Sequence, residues 1–166
     1  MCSSDLGQVS DEGTLSGPNG QAAVLDVSKK FSTSRVHLVE VEDGTLTVGD
    51  VVTATVDAAR RDATRRNHTA THLLHAALRQ TLGTHVRQKG SLVAPDRLRF
   101  DFAHDAPVTH AERQAIERIV NGEIYRNDAV TTEVQDTESA IKAGAMALFG
   151  EKYGEDRKST RLNSSH

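Results

Sequence analysis

The chain has 166 residues, 37% of them hydrophobic and 26% charged, with a formal net charge of −3. That is the length of one domain, or of one with a small companion, and the composition is that of a globular chain rather than a disordered one. No apolar run approaches the ~20 residues of a membrane helix, no secretory leader is visible, and the single cysteine, Cys2, excludes an internal disulfide framework and suits a reducing, cytoplasmic compartment.

From Gly7 to Asp57 the chain reads as β. Residues 21–27, 35–43 and 50–57 are short, rich in Val and Thr, and punctuated by Gly17-Pro18-Asn19-Gly20, Asp43-Gly44 and Gly49-Asp50. Several short strands of this kind suggest a small barrel or sandwich. Around Val36 and Leu38 the alternation is not clean, so the buried face stays open. Near Asp57 the pattern turns helical. Ala70, Leu73, Leu74 and Ala77 recur at helical spacing, and Gly83 is a natural stop. From Arg97 to Phe102, Leu98, Phe100 and Phe102 alternate with charged residues, as in a half-buried strand. Thr109 and Glu112 form a capping box before a second helix carrying Ile116, Ile119, Val120 and Ile124, which Gly122 weakens. Ala129–Gln135 reads as a strand and Asp136–Ala143 as a short helix ending at Gly144. Residues 1–6 and 156–166 show no pattern and read as non-native tails on a truncated piece.

The charge is uneven along this order. Residues 1–58 carry three basic and nine acidic side chains, residues 59–99 nine and two, and residues 100–166 eight and twelve. A strongly basic middle inside an acidic chain suits a polyanion, because each phosphate contact releases condensed counterions. A solvated helix face balanced by nearby acids is the alternative.

The basic stretch also holds Asn67-His68-Thr69-Ala70-Thr71-His72-Leu73-Leu74-His75. At roughly 100° per residue, His72 falls about 40° from His68 and His75 about 20° to its other side, with the apolar set near 140–240°. The three histidines are therefore expected on one face, opposite the packing face. An i, i+4 pair can aim two ring nitrogens at one ion about 2.0–2.1 Å away. Solvated surface histidines are the alternative. Position 69 is Thr where a zinc protease has its glutamate, so these residues lack the general base of that chemistry. Two histidines are also short of the three or four protein ligands that zinc takes.

The runs NHTATHLLHAALRQTLGTHVRQKGSLV, RLRFDFAH and AGAMALFGEKYG resemble the editing region of alanyl-tRNA synthetase. GQVSDEG and GTLTVGDVVTATVDAARR resemble the small β-barrel that precedes it. The resemblance covers about residues 7–155. It implies an α+β fold: a β-barrel over 7–58, then an editing domain over 59–155 with an antiparallel sheet packed by helices, incomplete at its C-terminal end. It implies hydrolysis of tRNA(Ala) mischarged with serine or glycine. It also implies Zn2+ held by His68 and His72 and by a second, C-x-x-x-H pair that does not occur before the chain ends. Gln88 and Thr71 match pocket positions, Thr71 helping to discriminate the amino acid, and both are expected in catalysis. Arg65, Arg66, Arg87 and Lys89 are expected on the acceptor end of tRNA(Ala). ATP belongs to the aminoacylation domain of the parent ligase, which is absent here. With half its ligands, the chain is expected to bind zinc weakly and edit poorly. A free-standing editing protein and a non-catalytic tRNA-binding module are the alternative readings.

Overall fold

The computed structural model describes residues 7–28, 34–128, 130–135 and 157–162. The fold is α+β. Its elements run β1 (Gly13–Ser16), β2 (Gly20–Ser28), β3 (Val36–Gly44), β4 (Thr53–Val56), α1 (Ala58–Leu82), β5 (Arg87–Val93), β6 (Leu98–Ala103), α2 (His110–Arg126), β7 (Val130–Gln135) and β8 (Arg157–Leu162). Among the described residues, no helix is long and apolar enough to cross a membrane.

The first four strands form an antiparallel sheet in the order β3-β2-β1-β4. Its inner face buries Leu15, Val24 and Val27 against Val39. The inward set of β2 runs Ala22, Val24, Val27, which breaks strict alternation. The cause is a bulge: Val24 pairs with Val39 and Asp26 with Leu38, so Leu25 is an extra residue and the side-chain phase shifts. Over Val36–Glu40 the faces of β3 alternate, but the outer face carries Val36 and Leu38, the latter 61% exposed, while Val39 faces the core, so apolar residues on both faces hide the period in the sequence.

Asp57 caps α1, its carboxylate accepting the Arg60 N–H at 2.9 Å, and Gly83 ends the helix at φ 117°. The helix packs on α2 and on the β5–β6 hairpin. Ala77, Leu78, Val86 and Ile116 are the buried centre, flanked by Leu74, Leu82, Phe100, Phe102, Ile119 and Val120. In β6 the predicted alternation holds, with Phe100 and Phe102 turned to the helices and Arg99 and Asp101 to solvent. The α2 capping box is present: the Thr109 hydroxyl accepts the Glu112 N–H at 3.3 Å, and the Glu112 carboxylate accepts the Thr109 N–H at 2.8 Å. Ile124 does not join that core and is 52% exposed.

Residues 7–12 tie the first sheet to α1 and the β5–β6 hairpin. The Val93 N–H donates to the Gly7 carbonyl at 2.8 Å, and the Val9 N–H to the Val93 carbonyl at 2.9 Å. Arg61 pairs with buried Asp11, and Arg60 with Glu12 at 2.6 Å.

β7 and β8 pair antiparallel, from Val130 opposite Leu162 to Gln135 opposite Arg157. The segment expected as a patternless tail thus contains a paired strand. A ladder needs only backbone donors and acceptors, so it forms without an apolar pattern. The helix expected at 136–143 with Gly144, and the AGAMALFGEKYG motif, lie outside the described residues.

Candidate functional site

The site is built where α1 crosses the β5–β6 hairpin. α1 supplies Asn67, His68, Thr71, His72 and His75 from successive turns. Asn67 anchors the helix, its Nδ2 donating to the Ala94 carbonyl at 2.7 Å in the turn between β5 and β6. That bond fixes the height of the histidine turns against the hairpin.

His68 and His72 lie together, their rings stacked with centroids 5.0 Å apart and planes 24° from parallel. This is the i, i+4 proximity that the sequence predicts. His72 keeps solvent contact. Even so, the surrounding atoms displace enough water to lower its pKa below the usual 6.5, and the charge of His75 adds to the effect. The shift favours the neutral ring, the form that offers a nitrogen lone pair.

His75 departs from the expectation. It is 4% exposed, with its ring against Phe100 at a centroid distance of 5.1 Å. The three histidines do not share one polar face. α1 is covered on one side by α2 and on another by the hairpin, so its buried arc is wider than Ala70, Leu73, Leu74 and Ala77 indicate. It takes in Thr71 and His75. Burial lowers the His75 pKa, as does the positive charge of Arg79, while a backbone hydrogen bond with Val86 acts the other way.

Thr71 is likewise inside, 6% exposed, and not on the helix surface. Its hydroxyl donates to the Asn67 carbonyl at 2.8 Å. The proton is committed to the helix backbone, which leaves the oxygen lone pairs to accept from a ligand. Gln88 stands opposite Phe102 in the hairpin and Ser91 opposite Phe100, so both project from the helix-facing side. The Gln88 Nε2 donates to the Ser91 Oγ at 3.1 Å. Thr71 and His75 on α1, and Gln88 and Ser91 on β5, thus lie on the sides of the helix and the hairpin that meet. Neither His75 nor Ser91 is marked by spacing alone. The position of His75 between Leu74 and Leu78 is the signal that places it on the packed side.

His85 does not join this group. It pairs with His104, Nε2 to Nδ1 at 2.9 Å, with rings 5.1 Å apart. Arg65 is held by Asp62 at 3.1 Å on the exposed side of α1, and Arg66 is exposed beside it. Arg87 and Lys89 are exposed on β5, where the register shift between Gln88 and Gly90 leaves Lys89 in a bulge. The same hairpin exposes Arg97 and Arg99, each beside an acid: Asp96 at 2.9 Å and Asp101 at 3.1 Å.

Among the described residues, no group of three or more His, Cys, Asp or Glu is placed around one ion. His68 and His72 are of a residue type that ligates zinc, and a pair is short of the three or four protein ligands it takes. No protein-family model matches the chain.

Proposed function

We propose that the chain is part of an alanyl-tRNA synthetase, its first sheet belonging to a small barrel and the rest to an editing domain. On this reading it hydrolyses the ester of serine or glycine wrongly attached to tRNA(Ala). The observation that carries the reading is the stacked His68–His72 pair, with buried Thr71 between them in sequence, on the helix that packs against the strand carrying Gln88.

Water adds to the ester carbonyl carbon, the bond to the ribose oxygen breaks, and free amino acid and a tRNA 3′-hydroxyl leave. His68 and His72 would hold zinc, with further ligands from outside the described residues. Zinc bound there would supply Lewis-acid polarisation of the reacting oxygens. Thr71 accepts a hydrogen bond from the substrate's hydroxyl or ammonium group. Gln88, held in place by Ser91, presents its amide to the ester. A polar site of this kind disfavours alanine, whose methyl group would leave buried polar atoms unpaired. Arg65, Arg66, Arg87 and Lys89 meet the phosphates of the acceptor end, and the positive charge draws tRNA in.

The test is a time course of Ser-tRNA(Ala) and Ala-tRNA(Ala) with the chain and added zinc. The seryl ester is expected to disappear faster than in the protein-free blank, while the alanyl ester is spared. His68→Ala and Gln88→Ala should return the rate to the blank. Equal loss with and without the wild-type chain contradicts the proposal.

A further inference from the structure

His75 carries one of the buried side-chain nitrogens that have no hydrogen-bond partner among the described residues, its Nε2. Such an atom is desolvated with no hydrogen bond in return, while the ring's bond is to the Val86 backbone. Leu74 and Leu78 on either side show that leucine suits this stretch of α1. An unsatisfied buried nitrogen in a stretch that accepts leucine points to a use in another state of the molecule.

The surroundings indicate the use. His75 is one turn beyond Thr71 on the same buried face. Its ring rests on Phe100, which stands opposite Ser91 in the hairpin, and Ser91 is the acceptor for Gln88. The unpartnered nitrogen therefore belongs to a ring packed where α1 meets the hairpin that carries Gln88 and Ser91. Nε2 has no solvent contact in the free chain, so a ligand reaches it only when the ring turns or α1 and β5 part slightly.

We propose that His75 is a substrate-binding residue, its Nε2 held for the side-chain hydroxyl of a bound seryl ester. This rests on the editing function proposed for the chain. A hydroxyl both donates and accepts, so it satisfies a neutral imidazole in either tautomer, which a methyl group cannot. His75 then contributes to the preference for serine over alanine.

The full chain is tested with two non-hydrolysable probes, the serine and alanine amides of 3′-amino-3′-deoxyadenosine, by calorimetric titration and thermal unfolding. The wild type is expected to favour the seryl probe by about tenfold. His75→Leu should reduce that preference several-fold, weakening seryl binding more than alanyl binding. His75→Gln, which keeps an amide near the Nε2 position, should retain most of the preference. If the leucine variant does not fold, His75→Asn is the equivalent test, its amide being too short to reach that position. A wild type that binds neither probe overturns the editing reading, and this inference with it. A wild type that prefers the seryl probe, with the same preference in the leucine or asparagine variant, overturns this inference alone.

Discussion

Thr71 and His75 are one turn apart on α1, and burial gives their polar atoms different fates. Thr71 satisfies its proton on its own helix, as a threonine inside a helix commonly does. His75 has no such local partner for Nε2 and carries a pKa lowered by burial. The pKa shift has a consequence for stability. In the unfolded chain the ring protonates near 6.5, whereas the folded chain holds it neutral to lower pH. The unfolded state therefore binds more protons below 6.5, and stability is lost as pH falls through that value. His72 acts in the same direction. Glu112 has its carboxyl held below 4.5 by the Thr109 hydroxyl and N–H, so its stabilising contribution is lost only at more acid pH. The Tm of the wild type is expected to fall between about pH 7 and pH 5, and that of His75→Leu to fall less. Equal slopes for the two proteins would show that His75 does not resist protonation in the fold.

At the scale of the element, the clearest signals in the sequence are caps and periods. Asp57, Gly83 and the Thr109–Glu112 box mark the ends of α1 and the start of α2. The alternation over Leu98, Phe100 and Phe102 marks β6. Two features were illegible for physical reasons. β5 begins Arg-Gln-Lys-Gly and is bulged at its centre, so its period is broken where the polar site residues lie. The burial of His75 depends on α1 being covered from two directions, which a single apolar stripe does not encode. The stacking of His68 on His72, by contrast, follows from i, i+4 spacing alone. Gly122 gives a direct check on α2. A Cβ there would meet nothing within 4 Å, so Gly122→Ala relieves backbone entropy without a clash. It is expected to stabilise the chain by about 0.5–1 kcal/mol in denaturant unfolding. A loss of stability would mean that α2 does not run through this residue.

At the scale of the whole molecule, the site depends on contacts distant in sequence. Residues 7–12 bond to the end of β5 and pair with Arg60 and Arg61 at the start of α1. The acids of the first segment thus neutralise two of the basic residues of the middle stretch, and further along α1 and on the hairpin Arg65, Arg97 and Arg99 each stand beside a local acid. The two histidine pairs end up in separate places, His68 with His72 on α1, and His85 with His104 beyond its end. That separation makes the assignment of the metal end testable without any enzymatic assay. Following all eight histidine rings by nitrogen–proton NMR during a zinc titration locates the ion. The account predicts that the His68 and His72 signals move first and together, and that His68→Ala abolishes the response at His72. First movement at His85 and His104, or no response from any histidine, would contradict it.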